Sequence, residues 1–281
     1  MFKTDSIAPE QIPYLGLLKS VLGYVDTEHY TYGELFNEIN ANTGGINCGV
    51  EVFDRADSTE EFQAMFSVRG KALYTKMDFL FKMIGEILNS SKLEDTKRLY
   101  EIVASVKSRA QVNLTGAGHS TAVLRAAAYS SPMAAFQDEM AGIGYYQFIE
   151  KLEKDFEQRK EETVEELCKL MKKILRPENF MISYTGERES LETVQKLAGT
   201  VKAGLGTEPV EKSKEKLTCT KKNEGFKTSG QVQYVAQTGN FKKKGLEYTG
   251  ALEILKVILS YDYLWMNLRV KGGAYGLSLI H

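Results

Sequence analysis

The chain has 281 residues, 43% of them hydrophobic and 26% charged, which is the balance of a globular protein able to bury a core. With 36 Lys+Arg against 37 Asp+Glu the net charge is −1, so no basic excess argues for a nucleic-acid partner or an anionic membrane surface. No apolar run approaches the ~18 residues of a membrane-crossing helix, and the N-terminus MFKTDSIAPE carries no basic-then-apolar signal pattern.

Cys48, Cys168 and Cys219 lie far apart and form no CxxC pair, so they read as buried thiols of a reducing compartment rather than a disulfide framework or a structural zinc site. His29, His119 and His281 never recur at i, i+4, which excludes an HExxH- or HxxEH-type zinc helix.

Met1 to Asp5 reads as the end of a strand. Pro9 and Pro13 flank a helix start, followed by Tyr14, Leu17, Leu18, Val21 and Leu22 at helical spacing. Thr31 to Glu34 is a capping box, and Leu35, Phe36 and Ile39 form the apolar stripe of the helix it opens. Thr43-Gly44-Gly45 stops that helix. Ile46 to Phe53 alternates as a strand and Phe62 to Gly70 reads as its partner, joined by an acidic turn around Asp57 to Glu61. Amphipathic helices are predicted over Lys76 to Leu88 and Asp95 to Val112. The small-residue stretch Gly116 to Ala122 then interrupts the helical pattern before Arg125-Ala-Ala-Ala128, and His119 is expected to be buried there as a structural histidine. Gly142-Ile-Gly144 is a second break. Phe148 to Leu175 is a long charged helical pattern ended before Pro177, with its charges at i, i+4 spacing on a solvated face. Phe180 to Tyr184 reads as a short strand and Glu187 to Val201 as a helix. The segment 202–224 is rich in like charges and poor in apolar residues, which predicts an exposed interdomain linker.

Beyond it the pattern restarts. Gln231 to Gln237 alternates as a strand, Gly245 to Leu268 is helical with a break around Ser260-Tyr261-Asp262, and Tyr275 to Ile280 is strand-like after Gly272-Gly273. The order strand, helical region, Gly-Gly, strand matches the first unit, so an internal duplication of an α+β unit is the economical reading, with the second copy cut short. The expected chain is therefore a piece of something longer.

The densest chemistry lies in Arg269-Val-Lys-Gly272-Gly273-Ala-Tyr275-Gly276. Paired glycines tolerate positive φ and close backbone approach, so the turn can bring Arg269 and Tyr275 near each other. A guanidinium and a phenol converging on one point suit a developing oxyanion or a carboxylate. The plainer reading is that Arg269 is a C-terminal helix charge, Gly-Gly a cap and Tyr275 a packing residue, and spacing taken by itself favours it.

The stretches IPYLGLLKSVLGYVDTEHYTYGEL, INANTGGI, GAGHSTAVLRAAA, GIGYYQFIEKLEKDF, GQVQYVAQTGNF and YDYLWMNLRVKGGAYG cover most of the chain and tip the balance. Together they resemble the C-terminal half of the pitrilysin/insulinase-like zinc metallopeptidases, in the presequence-protease subgroup. The resemblance implies an α+β fold of LuxS/MPP-like type, an antiparallel sheet with helices packed on it. Residues 1–201 would be third-domain-like, 202–224 a linker and 225–281 the start of a fourth, truncated domain. It also implies a peptide-degrading metalloendopeptidase that closes over unfolded peptide. Zinc would be bound in the missing N-terminal half, the natural partner, and none by this chain. Arg269 and Tyr275 would stabilise the tetrahedral intermediate, with Gly272 and Gly273 shaping the turn against the substrate. On this reading the chain is inactive by itself, and its compartment is the cytoplasm or an organelle matrix. The alternative is a non-catalytic peptide-binding or scaffolding companion subunit. A weaker reading is a binding module with His119 in a ligand pocket.

Overall fold

The structure is a computed structural model that describes every residue except Ala56, Lys214, Lys216, Ser229, Ile280 and His281. The chain divides into two compact units, Met1–Thr238 and Gly239–His281. The charged segment 202–224, expected between domains, thus falls within the first unit, with Lys214 and Lys216 outside the described residues.

The first unit is built on a three-stranded antiparallel sheet of order β1-β3-β2, where β1 is Phe2–Lys3, β2 Ile46–Asp54 and β3 Phe62–Gly70. The β2–β3 hairpin runs in unbroken register from Ile46 opposite Gly70 to Asp54 opposite Phe62. Phe66 at its centre faces both Phe2 and Val50 and is fully buried. The alternation of the sequence and the acidic turn therefore form as expected.

Helix α1 (Ile12–Val21) is the core element: Ile12 to Leu18 are all buried, so it is apolar on every side rather than amphipathic. It packs against α4 (Thr96–Gly116), α6 (Pro132–Ala141), α7 (Ile143–Lys154), α8 (Phe156–Ile174) and β2. Tyr14 meets Phe148 edge-to-face at 4.8 Å between ring centroids. Helix α2 (Tyr32–Asn42) starts with the predicted capping box: the Thr31 hydroxyl accepts from the Glu34 N–H while the Glu34 carboxylate accepts from the Thr31 N–H at 2.9 Å. Helix α3 (Met77–Ser90) and α9 (Leu191–Ala203) pack on each other. The long charged pattern is two helices, α7 and α8, parted at Asp155. In α8 Leu167, Leu170 and Ile174 are buried, and Lys169 pairs with Glu165 and Glu166 on the wet face.

Two predicted strands of this unit do not form. Phe180 to Tyr184 contributes one bridge, Phe180 to Phe2, because β1 is two residues long and offers an edge for no more. Gln231 to Gln237 is irregular, with Val235 85% exposed; its alternation finds no neighbouring strand among the described residues, and an unpaired strand cannot satisfy its backbone.

The second unit contains α10 (Ala251–Ile258), which passes at Leu259 into a π-helix, Leu259–Lys271. The predicted break at Ser260 to Asp262 is this change of winding rather than a gap. The expected strand from Tyr275 is irregular over 275–279, and its last residue, Ile280, lies outside the described residues. Among the described residues the unit holds no strand for it to pair with. The sheet and helices are thus α+β in the first unit.

Candidate functional site

The C-terminal turn is held by glycine chemistry. Gly273 has φ +72°, a left-handed conformation open to glycine and strained for other residues. The N–H of Gly273 donates to the Arg269 carbonyl and that of Ala274 to the Leu268 carbonyl, both at 3.0 Å, so the last helical carbonyls are satisfied as the chain reverses. At Gly272 a Cβ would sit 2.6 Å from the Leu268 carbonyl oxygen, so the turn has no room for a side chain there.

The turn brings Arg269 back onto Tyr275. A guanidinium nitrogen of Arg269 donates to the Tyr275 main-chain carbonyl at 2.7 Å. The same guanidinium lies 4.5 Å from the centroid of the Trp265 ring, one turn earlier in the π-helix. The Arg269 guanidinium therefore makes two contacts within the turn, while Tyr275 is 87% exposed. The structure joins Arg269 to the backbone of Tyr275 and leaves the phenol outside that contact. Chemically, the turn offers an oriented cation and a free phenolic donor on one short loop.

The other sequence candidates stand apart. His119 is exposed in the first turn of α5 (Gly118–Ala128), its ring 6.4 Å from that of Tyr234. The expectation of a buried histidine is thus corrected: the close-packing small residue is its neighbour Gly118, which is buried where a Cβ would run into the Tyr234 ring, and His119 stays outside that close contact. Nδ1 of His29 hydrogen-bonds the buried carboxylate of Glu86 at 3.0 Å. Burial works to raise the Glu86 pKa, but Thr27 and His29 outweigh it and hold the carboxyl below its usual range. Among the described residues no group of three or more His, Cys, Asp or Glu is placed to hold a metal.

A polar centre that the sequence did not reveal sits where GHSTAVLR meets GIGYY. Arg125 of α5 donates to Asp138 of α6 at 2.6 Å and to both oxygens of Glu224, at 2.8 and 3.1 Å. The hydroxyl of Tyr129 also donates to Glu224. Asp138 in turn accepts the N–H groups of Ile143 and Gly144, the orphan donors at the start of α7. Burial opposes the charge on Arg125, yet its bonds to Glu224 and Asp138 push its pKa above the ordinary arginine value. The same bonds, first of all that from Arg125, hold Glu224 below the usual carboxylate range. Glycine at 142 is required because a Cβ would press on the Asp138 carboxylate and lie 2.9 Å from its Cα. The GxG break is the footprint of this buried ion pair.

Comparison with known proteins bears on the whole chain. A family model described as peptidase M-16C associated matches residues 1–152. The chain is 36% identical over 276 residues to Protein HypA of Clostridium perfringens, covering 98% of this chain and 28% of that protein. It is 27% identical over 280 residues to Presequence protease 1, chloroplastic/mitochondrial, of Arabidopsis thaliana, covering 98% of this chain and 26% of that protein. To the mitochondrial presequence protease of Saccharomyces cerevisiae it is 27% identical over 287 residues, covering 97% of this chain and 28% of that protein. The chain thus spans about a quarter of the length of the curated relatives it matches. Among the described residues no helix is long and apolar enough to cross a membrane.

Proposed function

Because the chain belongs to the peptidase M-16C associated family, by the match over residues 1–152, we propose that it is the non-zinc, C-terminal half of a peptide-degrading metalloendopeptidase. The metal belongs to a separate N-terminal half, which is the natural partner, and the substrate is unfolded peptide. This half closes over the peptide and is inactive without its partner. Its own chemical contribution is Arg269 and Tyr275, two donors aimed at the carbonyl oxygen of the scissile bond as negative charge develops there. Gly272 and Gly273 shape the loop that presents them.

The observation that carries this reading is the anchoring of the turn. Arg269 is held by the Tyr275 carbonyl and the Trp265 ring, so its guanidinium is oriented before substrate arrives. The Tyr275 phenol, exposed and not spent on packing, is free to donate. A turn serving only as a helix cap needs neither feature, since the glycines and two backbone bonds already close it.

The test is a mixing assay with the zinc-bearing half from the same source and an unstructured fluorogenic peptide. Cleavage is expected in the mixture and not with either half, and Arg269→Ala and Tyr275→Phe are each expected to abolish most of it. A mixture that cleaves equally well with both variants would make the pair structural. It would favour the companion-subunit reading, in which this chain binds peptide or scaffolds.

A further inference from the structure

Strand β2 is an outer strand of the sheet, with β3 on one side and no strand on the other among the described residues. The hydrogen bonds around the ladder show which of its residues face the open side. The Lys71 N–H donates to the Gly45 carbonyl at 3.4 Å. Ala64 of β3, opposite Val52, turns its carbonyl the other way and accepts the Thr4 N–H at 3.2 Å. In an antiparallel ladder the bonded and non-bonded pairs alternate. Asn47, Gly49, Glu51 and Phe53 are therefore the residues bonded to β3, while Ile46, Cys48, Val50 and Val52 point their N–H and C=O groups at the open edge. Among the described residues no other main chain bonds to those four on that side. The edge also lacks the usual protections: Ile46–Asp54 holds no Pro or Lys, and its register with β3 is unbroken by a bulge.

A cavity of about 580 Å³, the size of a ligand site, runs along this edge. It is lined by every residue from Gly45 to Glu51 in turn. Side chains alternate between the two faces of a strand, so a space met by consecutive residues lies along the edge rather than over one face. Its opposite wall is apolar, from Leu22 at the end of α1, Phe36 and Ile39 of α2 and Ile87 of α3. An alternating row of N–H and C=O groups is matched along its length by another extended main chain. That chain is a single strand rather than the edge of a second folded sheet, because α2 and α3 share the cavity and would stand in the way of a sheet.

We propose that the free edge of β2 binds an extended peptide as an added strand, with apolar side chains at alternate positions set against the wall. The stretch from Gly45 to Glu51 is about 20 Å long at ~3.3 Å per residue, room for roughly six residues. Main-chain bonds would hold peptides of differing sequence, and the wall would favour those with alternating apolar residues. The edge and the wall call for a peptide by themselves; that the peptide is the unfolded substrate rests on the function proposed above.

The test is fluorescence anisotropy with the 281-residue chain and a fluorescein-labelled octapeptide, Lys-Val-Thr-Val-Ser-Val-Thr-Lys, set against two analogues with the same side chains. One is N-methylated at the valines and the other at the threonines and the serine, so each lacks the main-chain donors along one of its edges. One analogue is expected to bind as the parent does and the other at least about tenfold more weakly, because the hydrogen bonds to β2 go with it. Cys48→Pro takes an N–H from the open edge and none from the ladder. It should weaken the parent peptide at least about tenfold, and Cys48→Ala should not. Urea unfolding reports whether the proline variant folds, and the two analogues decide the question on the native chain in either case. Equal binding of both analogues, equal loss by both, or no binding of the parent each overturns the inference. So does a chain that light scattering shows to be dimeric and that Cys48→Pro makes monomeric, since a second copy would then hold the edge. Cleavage does not enter this readout. Edge-dependent binding without cleavage in the mixture of halves keeps the edge site and removes the peptidase reading; cleavage without such binding does the reverse.

Discussion

Asp138→Ala removes three hydrogen bonds at once, and its cost can be worked from the geometry. Asp138 is 1% exposed; one oxygen takes the Ile143 N–H at 3.0 Å, and the other takes the Gly144 N–H at 3.1 Å and Arg125 at 2.6 Å. Losing a capping carboxylate at a helix start costs about 0.5–2 kcal/mol. Breaking a buried ion pair by removing one partner costs about 3–5 kcal/mol, less here because Arg125 keeps Glu224. The two effects together predict a loss of roughly 3–5 kcal/mol, a large share of the ~5–15 kcal/mol that a domain has. Asp138→Asn keeps one good acceptor and is expected to lose about half as much. The assay is urea unfolding at pH 7 followed by far-UV circular dichroism, with Arg125→Met and the double variant completing a cycle. A coupling of about 1–3 kcal/mol between the two positions is expected for residues in one network. Strict additivity, or a loss below about 1 kcal/mol for Asp138→Ala, would refute the claim that this pair holds α5, α6 and the start of α7 together.

Glu224 has its pKa held below the ordinary value of 4.5, chiefly by Arg125, so its contribution is complete above about 4.5 and is lost as pH falls through the lower folded-state value. The stability gap between the native chain and Glu224→Gln should therefore be constant from pH 7 down to about 4.5 and close as pH falls further toward the lower folded-state value; a gap that widens in acid would contradict the assignment. Gly142→Ala forces a Cβ against Asp138 and should cost about 1–3 kcal/mol in the same urea assay. Gly272→Ala places its Cβ 2.6 Å from the Leu268 oxygen and should displace the turn, lowering cleavage in the mixture of halves while the first unit unfolds at an unchanged urea concentration.

Local signals were legible wherever the chain itself closes the contact. The capping box of Thr31 and Glu34, the β2–β3 hairpin and the glycines of the last turn each involve residues a few positions apart, and each forms as read. Strand predictions failed where the partner was missing: Gln231 to Gln237 has the right alternation but no neighbour to pair with among the described residues, and Phe180 meets an edge of two residues. Apolar spacing does not separate an α from a π wind, so the helix before Arg269 was foreseen and its change of winding at Leu259 was not. His119 was placed inside because small residues surround it in sequence, yet Gly118 takes the buried position and leaves its neighbour outside. The Arg125 network joins residues 13 and 99 positions apart, so no window of sequence holds it. Of the candidate site, the sequence supplied the residues and the closing turn; that Arg269 grips the Tyr275 carbonyl and the Trp265 ring needed coordinates.

The central claim is that Arg269 and Tyr275 act on the transition state rather than on substrate binding. The most direct measurement is steady-state cleavage of an unstructured peptide by the mixture of halves, with kcat and KM determined separately for the native chain, Arg269→Ala and Tyr275→Phe. Loss of one oxyanion donor is expected to lower kcat by about 10²–10³ with little change in KM. A rise in KM at unchanged kcat would contradict the account, and would make this turn a binding element of a companion subunit.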